Sequence, residues 1–282
     1  MIPFPFQAGQ FGRSGSGVLW TPENLSATPS FWYNDDSTIT IPTGDEVSDW
    51  GSNGTATFNI AQSTSGSRPA RQAAGLNSRR TILFDGSNDR LASTTTGARD
   101  HFRNADVGFI AVVYKKAATD GGANKFVGIN YTGTGGSRFS LLASSPANAD
   151  RPSMVVRRLD ADSAGVLGAS TGGSTAWQIV VATMDWANGG GTLYVNGAQD
   201  AQNLALTSSG LTSNTQASLS FNMGAANDAT QAADIDVAEY MQSALLPSTG
   251  DIDRIFGYFA HRWALTSALP SGHPYKTMPP TL

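Results

Sequence analysis

Apolar and polar residues alternate with a period of two along much of the chain, in short runs separated by Gly, Asn, Asp and Ser. That is the pattern of half-buried β-strands bounded by turns. Thr38-Ile-Thr-Ile41, Val47-Ser-Asp-Trp50, Arg79-Arg-Thr-Ile-Leu-Phe84, Phe126-Val-Gly-Ile129 and Arg138-Phe-Ser-Leu-Leu142 read this way. So do Ser153-Met-Val-Val-Arg157, Ser218-Leu-Ser-Phe-Asn-Met223 and Ile235-Asp-Val-Ala-Glu-Tyr-Met241. Val107-Gly-Phe-Ile-Ala-Val-Val-Tyr114 and Trp177-Gln-Ile-Val-Val-Ala-Thr-Met184 are apolar nearly throughout, as central sandwich strands are. Thr192-Leu-Tyr-Val-Asn-Gly197 ends in a pair that tolerates positive φ and so predicts a hairpin.

The period changes once. After Ser248-Thr-Gly-Asp251, the residues Ile252, Ile255, Phe256, Phe259 and Trp263 recur at helical spacing. Ser248 or Thr249 can cap such a helix, and Asp251 and Asp253 sit near its positive end, which predicts one helix over 250–264. The prolines of Leu269-Pro-Ser-Gly-His-Pro-Tyr-Lys-Thr-Met-Pro-Pro280 exclude regular structure behind it. Many short strands, one terminal helix and no βαβ rhythm predict an all-β, two-sheet sandwich. Residues 1–18, with Pro-Phe-Pro-Phe and a Gly-rich stretch, read as an extended N-terminal arm. Residues 19–282 read as one sandwich domain that includes the helix and the Pro-rich tail.

Composition narrows the function classes. Only 14% of the 282 residues are charged, against roughly 25% in ordinary soluble domains, so Ser, Thr, Asn and Gln must supply much of the polar surface. Net charge is −4, the pI is near 5.3 and no basic run exceeds two residues, which leaves no footprint for nucleic acid. Without cysteine there is no disulfide, thiolate nucleophile or thiolate-bound metal. The opening Met1-Ile-Pro-Phe-Pro-Phe lacks the basic start of a secretory signal. No apolar run approaches the length of a membrane helix.

Phe31-Trp-Tyr-Asn-Asp-Asp36, Val47-Ser-Asp-Trp50 with Asn53-Gly54, Arg68-Pro69, Gly75-Leu-Asn77 and Phe84-Asp-Gly-Ser-Asn-Asp-Arg-Leu91 form an ordered series. It continues with Leu193-Tyr-Val-Asn-Gly197, Asp236-Val-Ala-Glu-Tyr240, Ile255-Phe-Gly-Tyr-Phe-Ala-His-Arg-Trp-Ala-Leu265 and Leu269-Pro-Ser-Gly-His-Pro-Tyr275. In order and spacing the series resembles the concanavalin A-like lectin/glucanase superfamily, in the LamG-like branch found in bacteriophage structural proteins. The resemblance implies a two-sheet jelly roll with a concave face, used in that family for glycan binding, glycan hydrolysis or assembly. The leading expectation is a non-enzymatic virion structural protein: a capsid decoration or a tail or fibre component, assembled in the host cytoplasm. It would be homo-oligomeric and in contact with other virion proteins. A glycan-binding adhesin for host attachment is the first alternative, and a laminarinase-like glycoside hydrolase the second.

Several residues carry candidate chemistry. Laminarinase-like relatives use Glu-x-Asp-x-x-Glu, and Asp234-Ile-Asp-Val-Ala-Glu239 is the matching segment, with Asp at the first position, one methylene shorter. Retention needs two carboxyls about 5–5.5 Å apart. The chain has only three glutamates, Glu23, Glu46 and Glu239, so this segment reads more readily as structure, with Glu239 and Arg262 as a partly buried pair joining the last strand to the helix. Asp85, Asn88 and Asp89 lie in one tight turn. They either bond local amides or, as the resemblance allows, hold calcium. His101, His261 and His273 lack zinc-ligand spacing. For glycan contact the candidates are Trp186 with Asp185 and Asn188, and Tyr131, since sugar C–H faces stack on aromatic rings and Asp or Asn take the hydroxyls. The alternative for Trp186 is a place in the core. Phe4, Phe6 and Phe11 are candidate docking anchors for an oligomer or a virion partner.

Overall fold

The computed structural model describes residues 17–282 apart from positions 94, 118, 120 and 121. Phe4, Phe6 and Phe11, and nearly all of the expected arm, lie outside the described residues. The strands begin with β1 (Phe31–Tyr33), β2 (Ile39–Thr40), β3 (Asp49–Trp50), β4 (Ile60–Ala61), β5 (Ala70–Leu76) and β6 (Arg79–Asp85). Then come β7 (Leu91–Ser93), the one-turn helix α1 (Thr96–Arg99), β8 (Val107–Lys116), β9 (Lys125–Tyr131), β10 (Ser137–Ser144) and β11 (Ser153–Val156). The chain continues through β12 (Gly165–Gly168), β13 (Gln178–Asp185), β14 (Gly190–Val195), β15 (Ala198–Asn203), β16 (Phe221–Met223), β17 (Asp234–Ser243) and the helix α2 (Thr249–Arg262).

These strands form two antiparallel sheets. The first runs β15-β14-β13-β8-β17-β6-β5, and β1 joins it by pairing with the far half of β17, beyond the residues that pair with β6. The second runs β12-β11-β10-β9-β16-β7-β4-β3-β2. The main core lies between them. From β8, Ile110, Val112 and Tyr114 point into it, whereas Phe109, Ala111 and Val113 point the other way into a second apolar layer. β13 divides in the same manner, with Val180, Ala182 and Met184 on one face and Ile179 and Val181 on the other. The continuous apolar runs in the sequence therefore mark strands buried on both faces.

The second layer is covered by α2. Ser248 caps it, its hydroxyl accepting from Asp251 N at 3.1 Å, and Ile252, Ile255, Phe256 and Phe259 are the buried side. The helix spans 249–262, a turn fraction from the range the sequence predicts, because Trp263 already has non-helical backbone (φ −102, ψ 9). Trp20 and Leu25 pack in the same layer. There the two ends of the domain are tied together: Trp20 N donates to Pro280 O at 3.0 Å and Leu282 N to Val18 O at 3.0 Å. The tail before Thr281 is irregular apart from a 3-10 turn at Thr266–Ala268, as its prolines require. The Asn196-Gly197 hairpin is present between β14 and β15 with φ of 51° and 87°.

His101 shows how tightly the main core closes at one end. Its ring packs between Phe31 (centroids 4.8 Å) and Phe102 (4.7 Å), with Phe58 at 6.3 Å. Burial pushes its pKa down to about 3. The unfolded chain binds this proton below pH 6.5 whereas the fold refuses it, so His101 contributes stability above that pH that is lost as pH falls toward 3. In urea melts, the difference between the native chain and His101→Phe should therefore shift with pH. The native chain should lose up to about 1.4 kcal/mol per pH unit more than the variant between pH 6 and 4; parallel curves would remove His101 as the cause.

Candidate functional site

Glu239 is the carboxylate that hydrolysis would need, and the fold uses it otherwise. The ladder between β17 and β8 slips by one residue between Val237 and Glu239, a bulge that turns both Ala238 and Glu239 onto the helix side. Glu239 is 0% exposed there. Trp32 Nε1 donates to its Oε1 at 2.6 Å and Trp263 Nε1 to its Oε2 at 2.7 Å. Tyr258 Oη donates at 3.1 Å, and Arg262 Nε stands 3.3 Å from Oε2. Burial pushes the carboxyl up, while Arg262 and the two indole N–H groups pull it back. Every neighbour is a donor, so the ionised form is the one this environment accommodates.

The pair predicted between Glu239 and Arg262 thus exists and extends further. Arg262 also pairs with Asp35 and, at 2.6 Å, with Asp36; Asp35 pairs in turn with Arg79 at 2.7 Å. The rest of the hydrolase segment is equally occupied. Asp236 lies 3.8 Å from Lys115, whose ammonium sits over the Trp177 ring at 5.1 Å. Asp234 lies opposite Asp85 in the β17–β6 ladder. No substrate can reach Glu239 beneath α2, so this segment is structural.

One other expectation is corrected, and a second resolves to its simpler form. Trp186 is 0% exposed, packed against Phe102 at 5.5 Å and edge-on to Phe139 at 5.7 Å. A ring enclosed on all sides offers no face to a sugar, so Trp186 is core. Asp185 and Asn188 beside it close a turn on each other, Asn188 Nδ2 donating to Asp185 Oδ2 at 2.8 Å. The calcium candidates are likewise engaged in their own turn. Asp89 Oδ2 accepts from Asp85 N at 3.0 Å, and Asp85 Oδ1 accepts from Ser87 N at 2.8 Å. With few donors to offset its burial, Asp89 is pushed up to about 6. Among the described residues no group of three or more His, Asp or Glu is placed to hold a metal.

A small cleft lies at the rim of the sandwich. Its volume is about 10 Å³, room for little more than one water, and it lies between the end of β9, the start of β10 and two loops, residues 99–105 and 212–217. The loops are joined by Ala105 N to Thr212 Oγ1 (2.9 Å), Thr212 Oγ1 to Phe102 O (2.6 Å) and Ala217 N to Asp100 Oδ1 (2.8 Å). Phe102 and Ala217 supply apolar wall, and Arg99, Arg103 and Arg138 supply cations. Tyr131 lines it too, 7% exposed, its hydroxyl accepting from Asn227 N at 2.9 Å. It is the one sequence-chosen glycan candidate that the fold brings to this opening.

Asn130 decides the character of the cleft. It is 2% exposed, and neither its Nδ2 nor its Oδ1 has a hydrogen-bond partner. Buried amides are nearly always satisfied, so this one stands out on the cleft wall, as the buried Gln178 amide does in β13. The sequence held a weak signal for it. Asn130 pairs with the core residue Phe139, so it is a polar residue on an inward register position of an apolar strand. The arginines gave no such signal, since nothing in their spacing brings them together.

No protein-family model matches the chain, and no curated protein sequence matches it. Solved structures do. The binding domain of Paraclostridial Mosquitocidal Protein 1 superposes with a TM-score of 0.57 at 12% identity, over 82% of this chain and 52% of that one. The receptor-binding domain of botulinum neurotoxin mosaic serotype C/D gives 0.54 at 10% identity, over 81% and 50%. A Trypanosoma rangeli sialidase gives 0.52 at 14%, over 82% and 33%. The chain spans about half the length of the toxin domains and a third of the sialidase. This fixes the fold as a lectin-like β-sandwich.

The Glu239 environment makes a definite demand on stability. Glu239→Gln leaves the buried Arg262 short of one counter-charge and should lower the unfolding free energy by about 3–5 kcal/mol, measured by urea denaturation. A change below about 1 kcal/mol would mean the pair behaves as a surface ion pair and does not hold the helix to the sheet.

Proposed function

We propose that this protein is a non-enzymatic glycan-recognition module displayed on a bacteriophage particle, with the rim cleft as its sugar site. The observation that carries the recognition reading is the likeness of the sandwich to the binding domain of Paraclostridial Mosquitocidal Protein 1. Asn130, whose amide has no partner within the fold, is the polar group of the cleft wall. Tyr131, the next residue on β9, reaches the same rim and is the aromatic side chain chosen from the sequence that lies there. The one segment that resembles a hydrolase motif is consumed by structure, which supports binding without turnover. Two of the similar structures are named as a binding domain and a receptor-binding domain, in keeping with recognition as the role of this sandwich.

The virion part of the proposal rests on the resemblance to LamG-like phage structural proteins and on the layout of the chain. Residues 17–20 enter the fold against the C-terminal tail, in the layer covered by α2, whereas the cleft belongs to the second sheet and the rim loops. A preceding arm bearing Phe4, Phe6 and Phe11 can therefore dock on a neighbouring subunit or another virion protein without using the elements that form the cleft.

Asn130→Leu separates recognition from folding. It replaces an unsatisfied amide by an apolar side chain of similar size, so the variant should be at least as stable as the native chain. It should nevertheless lose glycan affinity by about tenfold or more. Calorimetry against a panel of mono- and oligosaccharides checks this, with reducing-sugar release as the test for turnover. Unchanged affinity in Asn130→Leu would take the site away from the cleft, and release of reducing ends would end the non-enzymatic reading.

A further inference from the structure

Tyr275, in the tail behind α2, has both of its backbone polar groups held by imidazoles. Its N–H donates to His273 Nδ1 at 3.2 Å, and its carbonyl oxygen accepts from His261 Nε2 at 2.9 Å. A backbone N–H only donates, so Nδ1 of His273 carries no proton and the neutral ring keeps its proton on Nε2. That ring is 7% exposed and packs edge-on to Phe256, with centroids 6.3 Å apart. Its Nε2 has no acceptor within hydrogen-bond reach, Asp253 Oδ1 standing 3.8 Å away. The turn also presses closely on the body. A Cβ at Gly257 of α2 would stand 2.6 Å from Tyr275 Cβ, and one at Gly197, the tip of the β14–β15 hairpin, 2.9 Å from His273 Cδ2.

We infer that this turn is a pH-sensitive latch: a proton added to His273 Nδ1 sets two donors face to face, breaks the bond from Tyr275 and releases residues 270–274 from α2 and the hairpin tip. His261 behaves differently. Its Nε2 donates in either charge state, so acid leaves the Tyr275 carbonyl held and makes it the hinge. The groups facing His273 oppose one another. Asp253 on α2 favours the imidazolium, Lys276 in the tail disfavours it, and the hairpin tip at Asn196-Gly197 brings no charge. Tyr194 of β14 also faces Asp253. Burial outweighs Asp253, which is 39% exposed, and holds the imidazole below its ordinary value of 6.5. The closed turn therefore binds the proton less readily than the open one. Its stability is complete above pH 6.5 and is lost as pH falls below it.

Hydrogen exchange on the full chain, corrected for the intrinsic pH dependence of amide exchange, tests this. His273→Asn is the reference, because its side-chain oxygen can still accept from the Tyr275 N–H and does not titrate. Between pH 7.5 and 5.5 the peptide spanning residues 270–276 should lose up to about tenfold more protection in the native chain than in His273→Asn. His101 lowers the stability of the whole fold in the same range, but both chains carry it, so their difference isolates the turn. Asp253→Asn removes the one carboxylate that favours the imidazolium in the closed turn, and should deepen the loss. Equal loss in the native chain and His273→Asn would place the titration elsewhere and overturn the latch. A smaller loss in Asp253→Asn than in the native chain would overturn it as well, since the carboxylate would then be helping the turn to open.

Discussion

The structure depends on one carboxylate that has nowhere else to go. Moving Glu239 from water to the interior costs several kcal/mol unless its oxygens are fully paired, and the pairs come from distant parts of the chain. Trp32 and Asn34 arrive with β1, Tyr258, Arg262 and Trp263 with α2 and its end, and Glu239 itself sits on the bulge of β17. Only when all of these are assembled is the charge tolerable, so the network fixes the placement of the helix and the first strand against the sheet in one register. Arg262 extends it to Asp35 and through Asp35 to Arg79 at the start of β6. The same assembly closes the outer face of the first sheet around Glu239, which leaves that carboxylate no access to solvent.

The sequence made the centre of the fold legible and its edges obscure, for the same physical reason. β8 and β13 face apolar layers on both sides, so their residues are apolar at every position and announce themselves. The predicted pairing of Glu239 with Arg262 was readable because a lone glutamate in a strand and a lone arginine at a helix end have few other uses in so weakly charged a chain. By contrast β5, β12 and β15 end their sheets. Ala70-Arg-Gln-Ala-Ala-Gly-Leu76 and Ala198-Gln-Asp-Ala-Gln-Asn203 carry small and polar residues because edge strands need only one apolar face, and charge there deters stray pairing. Alternation is weak in such segments and the pattern does not show them.

The site was harder to read than the fold. Trp186 looked like a loop aromatic because polar residues flank it, yet local polarity does not tell whether a ring points out to solvent or back between the sheets. Phe102 and Phe139, far apart in sequence, decide that question. Tyr131, chosen from the sequence, lies at the rim cleft, and Asn130, its neighbour, was hidden by its place in a strand. The turn of Asp85 and Asp89 was read correctly in its simpler form, since short side chains one turn apart reach local amides before they can converge on an ion.

Pre-organisation explains why the rim can hold an open polar cleft in a fold so reliant on burial. Arg138 is the extra residue of a bulge on β10: Ser137 pairs with Tyr131 and Phe139 with Asn130, leaving Arg138 between them. Desolvation lowers its pKa while Asp160 raises it again, so the guanidinium is both buried and anchored. Arg103 is tied to Asn214, and the two loops are stitched together by Thr212 and Asp100. The walls of this cleft are therefore fixed by the fold, their side-chain entropy already spent in folding. What remains without a partner inside the fold is the Asn130 amide, and burying it costs this rim stability that an apolar side chain of the same size would not.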